Sequence, residues 1–222
     1  MTQPLLPGSE PALAAQIDAE IRALPLQNTP NIRAVRRRYT RELRGVDAGT
    51  ILNLARDLLA RSDHRWVAYE LIGEHPAAFA SLGEVELVEL GQGIDSWWTV
   101  DAFARILSGP AWLRGQVDDR LIQAWASSAN RWWRRAALVS TVALNVRSQG
   151  GLGDTPRTLA VCRLLAGDAE DMVVKALSWA LRALVAHDPE AVRAFLADYD
   201  GVLAPRVKRE VTNKLETGLK NP

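Results

Sequence analysis

The chain has 222 residues, 48% of them apolar, with 27 Lys and Arg against 26 Asp and Glu and a formal charge of +1. That apolar share excludes a disordered chain, the length allows one large domain or a short array of repeats, and the charge balance excludes a global pull toward nucleic acid or membrane. Any basic surface that matters must be local. Cys162 is the lone cysteine, so an intrachain disulfide is excluded and a reducing compartment fits. It sits in an apolar helical pattern and reads as a small core residue.

The start, MTQPLLPGSEP, has no basic lead and no long apolar run. It predicts neither a signal peptide nor a membrane span, and a cytoplasmic protein. Residues 1–28 read as a lead-in with an N-terminal helix, and 29–220 as repeats, together one domain over 1–222. Thr29–Pro30 reads as a helix cap with Pro in the first turn. The helix that follows carries RAVRRRYTRELR (33–44), with Arg33, Arg36, Arg37, Arg38, Arg41 and Arg44. Gly45 ends it and Asp47 caps the next, ILNLARDLLA (51–60), where apolar residues recur at three and four. HRWVAYELI begins at His64 and stops at Gly73. His75 before Pro76, and His187 before Asp188–Pro189, read as residues at helix C-termini. GEVELVEL (83–90) reads as an acidic outer face.

SWWTVDAFARIL (96–107) is predicted to be a helix that stops at Gly109, and NRWWRRAALV opens another at Asn130. GGLGD (150–154) has no preceding strand and no Lys, so it predicts a loop between repeats rather than a phosphate loop. Gly167 precedes the last strongly apolar helix, VVKALSWALRALV (173–185), and RVKREVTNKL (206–215) is basic. No stretch alternates as a strand would, so the chain is predicted to be all-α.

Self-similarity adds to this. The Arg-Trp pairs at 65–66 and 131–132 lie 66 residues apart, and Trp98 falls between them, 32 from Trp66 and 34 from Trp132. Two-helix units repeated every 33 to 40 residues cannot bury their apolar faces alone and stack into a solenoid. Arg and Trp then recur on its inner helix row, a surface suited to a long anionic partner with ring faces. Trp66, Trp112, Trp125 and Trp133 fall in apolar registers and are expected in the core. Trp97 and Trp98 point about 100° apart on a helix, so one of them is expected to be exposed or to line a groove. Asp101 lies one turn from Trp97, on the same side. A carboxylate beside indoles needs a partner. Arg105, four residues on, is one candidate.

In order and spacing these motifs resemble the AlkD family of DNA alkylation repair glycosylases, built from HEAT-like repeats, from about Arg33 to Lys214. SWWTVD is similar to that family's Trp-x-x-x-Asp helix, which places Trp97 and Asp101. NRWWRRAAL is similar to the helix bearing its cleft arginine, which places Arg135. KALSWALR is similar to its Lys-Ala-x-x-Trp-x-Leu-Arg helix, which places Trp179. The resemblance implies an all-α HEAT-like solenoid that removes cationic N3- or N7-alkylated purines from duplex DNA, without flipping the base. Asp101, Trp97 and Trp179 would act on the sugar. Arg135 would hold a phosphate, and Arg131, Arg134, Arg38, Tyr39, Lys175 and Arg209 would add DNA contacts.

That chemistry fits the residue types. A cationic base leaves neutral, so the demand for help falls on the deoxyribose as it gains oxocarbenium character. A carboxylate and indole faces suit that charge. His64, His75 and His187 are too scattered for a metal site, and no cofactor is expected. A monomer is expected. Two rivals stay open: a non-catalytic DNA-structure binder on the same fold, and a helical-repeat scaffold for another protein.

Overall fold

The computed structural model describes residues 8–222; the expected lead-in over 1–7 lies outside them. Among the described residues the secondary structure is helical with no strand, an all-α, HEAT-like helical repeat whose helices pack on one another. By contacts the chain divides into two compact units that meet after Gln92.

The first unit holds α1 (Glu10–Arg22), α2 (Thr29–Glu42), α3 (Ala48–Arg61), α4 (Arg65–Gly73), α5 (Pro76–Ala80) and α6 (Glu84–Leu90). α3 forms as its pattern requires. Asp47 accepts the Thr50 N–H at 3.0 Å and caps it, and Ile51, Leu54, Ala55 and Leu58 make one buried stripe against α1 and α4. The cap of α2 lies one residue earlier than expected: Asn28 Oδ1 accepts the Asn31 N–H at 2.9 Å. Pro30 is then the second helical residue, where its missing N–H costs nothing. His75 begins a helix as well as following one, because its Nδ1 accepts the Ala78 N–H at 3.1 Å and caps α5.

The second unit is built around α10 (Arg131–Asn145), with α7 (Trp97–Phe103), α8 (Gly109–Leu113), α9 (Asp119–Ala126), α11 (Thr155–Leu164) and α12 (Asp171–Leu184) packed on it. α13 (Pro189–Asp198) and α14 (Pro205–Thr217) pack against α12 directly or by extension of the array. Every residue of α10 from Arg135 to Asn145 is buried. Its small and apolar run, AALVSTVAL, permits neighbours on all sides. Ser140 and Thr141 satisfy their hydroxyls on the carbonyls of Ala136 and Leu138, both at 2.7 Å, the local bond that lets a polar side chain lie inside a helix core. GGLGD is a loop between α10 and α11, as expected. Gly151 is essential to it: a Cβ there would stand 2.3 Å from the Ala143 carbonyl oxygen. His187 lies past the end of α12, as expected, within 2.8 Å of the Asn145 carbonyl oxygen.

Gly109 does not stop its helix. A five-residue π turn, Ala104–Ser108, joins α7 to α8. The Gly109 N–H bonds back to the Ala104 carbonyl, five residues away. Gly109 serves close packing instead, since a Cβ there would meet the Ser140 carbonyl oxygen of α10 at 2.8 Å. The next residue, Pro110, has no N–H to give. The carbonyl it would have served in this register, that of Arg105, is taken by Gln149 Nε2 at 2.6 Å.

Two expected core tryptophans are only half-buried. Trp112 and Trp125 are buried, but Trp66 lies under the Arg33 guanidinium, 5.3 Å from its ring centroid, and Trp133 keeps an open edge while stacking 4.7 Å from Trp125 and 6.0 Å from Phe103. Both occur in the first turn of their helices, where the core is thinner.

The repeat shows itself in polar ties between helices of successive repeats. Arg36 of α2 holds Glu70 of α4 at 2.8 Å, 34 residues on. Asp101 of α7 and Arg135 of α10 pair over the same separation. Ser178 of α12 donates to Glu210 of α14 at 2.6 Å, 32 residues on. A polar tie thus recurs at the period of the helix pairs.

Candidate active site

The sequence places Trp97 and Asp101 together through the first turn of α7. Ser96 and Thr99 lock that turn: the Ser96 N–H donates to Thr99 Oγ1 at 3.2 Å, and the Thr99 hydroxyl donates to the Ser96 carbonyl at 2.9 Å. Trp97 and Trp98 then both project into solvent, 55% and 43% exposed. The expectation of one exposed indole is exceeded; α7 buries Thr99, Val100 and Phe103 instead.

Asp101 has a partner, and it is not Arg105. Arg135 donates Nε to Oδ1 and Nη2 to Oδ2, each at 2.9 Å, a bidentate pair between α7 and α10. Arg135 Nη1 donates to the Met172 carbonyl oxygen at 2.5 Å in the first turn of α12. Three helices are therefore pinned through one guanidinium, which is 5% exposed. So placed, Arg135 turns its donors inward. Three of its five N–H donors are engaged in these bonds, two of them holding the Asp101 carboxylate.

Burial raises the Asp101 carboxyl above its ordinary value; the hydrogen bonds and charge of Arg135, and the charge of Arg105, pull it back only in part. A carboxylate offers about four acceptor sites, and Arg135 occupies one on each oxygen, so the side chain can still accept from water or face a cation. Trp179, half-buried on α12, carries the Arg105 guanidinium 5.8 Å from its ring centroid. Arg105 comes from the π turn that continues the Asp101 helix. Trp97, Asp101, Arg135 and Trp179 thus all belong to the second unit, on α10 and the two helices α7 and α12 that pack on it.

A sequence model described as DNA alkylation repair enzyme matches residues 18–215, most of the chain. The chain belongs to the DNA alkylation repair enzyme family. Searches of curated proteins and of solved structures found no match.

In this DNA alkylation repair enzyme the other expected DNA contacts fall into two groups. Arg134 is committed to its own loop, with Nε on Asp168 at 2.6 Å and Nη1 on the Ser128 and Ala129 carbonyls at 3.0 and 2.9 Å. Tyr39 is in the core of the first unit, 3% exposed. Its hydroxyl donates to Glu20 at 2.7 Å, and burial with that bond pushes its pKa up to about 12. It offers no ring face to a ligand. Arg38 lies over the Tyr39 ring, 4.7 Å from its centroid, and pairs with Glu20 and Glu42.

Arg38 is nevertheless exposed, as are Arg131 and Arg209, and Lys175 is half-buried. Arg131 covers the Trp132 ring and reaches Glu170 at 3.3 Å. Lys175 pairs with Asp171 at 2.6 Å. Arg209 is exposed on α14.

The arginine run of α2 also divides. Arg33 and Arg36 both hold Glu70, at 2.8 Å each. Arg37 and Arg41 are exposed one turn apart on α2, and Arg44, also exposed, follows in the turn after the helix, so the three make one basic stripe. Periodicity identifies that stripe in the sequence; the consecutive Arg36–Arg38 run obscures it. Among the described residues no helix is long and apolar enough to cross a membrane, and no group of three His, Cys, Asp or Glu is placed to hold a metal ion.

Proposed function

We propose that this DNA alkylation repair enzyme is a glycosylase that hydrolyses the N-glycosidic bond of cationic N3- or N7-alkylated purines in duplex DNA. The observation that carries the reading is the Asp101 carboxylate, fixed by two 2.9 Å bonds from Arg135 on a helix whose first turn projects two indoles into solvent. A carboxylate held before substrate arrives needs no reorganisation when positive charge appears on the sugar. Its unused acceptor sites can orient the attacking water. Trp97 and Trp179 supply negative ring faces to the same cation. The alkylated base departs neutral, so no general acid is required and the base need not leave the stack. Lys175 is engaged in an ion pair with Asp171 rather than placed against Asp101, which favours hydrolysis over a lyase step.

One observation favours a second reading, a DNA-structure binder without turnover. Arg36 and Glu70 make an inter-helix pair at the same 34-residue separation, so the Asp101–Arg135 pair has a purely architectural counterpart. Incubation with methylated duplex DNA, followed by chromatography of the freed bases, separates the two. Release of 7-methylguanine or 3-methyladenine supports the glycosylase. Tight binding with no released base supports the binder.

A further inference from the structure

Arg105 is unlike the other arginines around Asp101. Arg135 and Arg134 spend their donors on carboxylates and carbonyls, and Arg131 shares Glu170. Arg105 is exposed, makes no ion pair among the described residues, and rests on the face of Trp179. Its charge reaches Asp101.

Its backbone is also held by means that an ordinary surface helix does not need. The π turn shifts Arg105 out of the regular α register, Pro110 leaves its carbonyl without a helical donor, and Gln149 supplies that donor at 2.6 Å from beyond α10. π turns interrupt helices at a cost and recur at functional sites. Here the cost fixes where one unpaired guanidinium emerges, beside a carboxylate and over an aromatic ring.

We propose that Arg105 is the phosphate-holding arginine of this site, and that it exchanges the Trp179 ring for a phosphate of the bound DNA strand. A planar guanidinium stacked on an indole keeps its N–H edge free for a bidentate acceptor. A cation at this point also offsets the repulsion between Asp101 and the phosphates that DNA must bring past it. When Arg105 turns to the phosphate, the Trp179 face opens to the sugar. The proposal rests on the reading that the site takes DNA; it does not require turnover.

The test is binding of the full-length protein to a labelled undamaged duplex, followed by anisotropy across a salt series. Arg105→Ala removes one phosphate contact, so the slope of log K against log salt should flatten by about 0.9, alike for unrelated sequences. Arg105→Lys keeps the point charge and should restore the slope while weakening binding at fixed salt. Arg163→Ala, an exposed arginine of α11, should change neither. An unchanged melting temperature for Arg105→Ala shows that the loss is not one of folding. If Arg105→Ala binds with the wild-type slope, the proposal is wrong, whether or not the protein releases alkylated bases. If the slope flattens and no variant or wild-type protein releases a base, Arg105 holds the phosphate and the glycosylase reading is the one that fails.

Discussion

Asp101 and Arg135 meet face to face across 34 residues, two oxygens against two nitrogens at 2.9 Å, and the pair is more costly to break than to lack. Arg135 is buried, and burial raises the Asp101 carboxyl above its ordinary value. Removing one partner leaves the other buried and unpaired. Arg135→Met and Asp101→Leu should each destabilise by about 3–4 kcal/mol in urea unfolding. The double variant should recover more than half of that. Additive losses would mean that the two residues do not depend on one another for stability.

Asp101→Asn keeps the shape and removes the charge. Excision of 7-methylguanine should fall by about 10²–10³ under single turnover, the order lost with one preorganised electrostatic group. Trp97→Ala and Trp179→Ala should cost about 1–2 kcal/mol each in the same assay, as for aromatic faces against a cation. The measurement is made well below the melting temperature, since Asn also disturbs Arg135. Wild-type excision by Asp101→Asn would make the residue a helix strut.

The pH dependence follows from the direction of the Asp101 shift. Excision needs the carboxylate, so activity should be lost on the acid side, with a midpoint above the ordinary Asp value of about 3.9. Arg105 lowers the Asp101 pKa, so Arg105→Ala should move that midpoint further up. For stability the sign is opposite. The folded pKa is raised, so this group's contribution is most favourable below its unfolded pKa and declines as pH rises through the folded one. An acid midpoint at or below the ordinary value would remove Asp101 as the titrating group.

The α2 stripe predicts a separation between binding and folding. Arg37→Ala, Arg41→Ala and Arg44→Ala together should flatten the salt slope of duplex binding by up to about 2.7 if all three meet phosphates, with little change in stability. Arg36→Ala should leave the slope alone and destabilise by about 2–4 kcal/mol, because Glu70 keeps only the half-exposed Arg33. Salt-independent binding would favour a protein partner over DNA.

Gly151→Ala should destabilise by about 2–3 kcal/mol or prevent folding, since the added carbon must displace backbone of α10. Gly201→Ala, with nothing within 4 Å, should fall within about 0.5 kcal/mol of wild type. Equal melting curves would show that the 150–154 loop yields to fit.

The helical class was legible because period and capping agree along the chain, as at Asp47 and the Ile51–Leu58 stripe. Trp97, Asp101, Arg135 and Trp179 are candidates through the resemblance of their motifs to those of the family. Their connections are not legible in the motifs. That Asp101 pairs with Arg135 rather than Arg105 depends on how α7 lies against α10, which no local pattern encodes. Gly109–Pro110 carries the usual marks of a helix end, and only the packing of Gly109 on Ser140 and the donor from Gln149 reveal a helix that continues. The resemblance names Tyr39 and Arg134 as DNA contacts; that Tyr39 is buried on Glu20 and Arg134 bound to Asp168 depends on tertiary packing that no local pattern encodes.

The recurring tie has alternating polarity. In the first unit the arginine comes first and the acid 34 residues later; around α7 and α10 the acid comes first. Tandem helix pairs are prone to dock one step out of place while folding. Were α4 to settle on α7 where α10 belongs, Glu70 would confront Asp101; were α2 to meet α10, Arg36 would confront Arg135. Either slip buries two like charges, so the order of signs along the chain disfavours both misdocked arrangements.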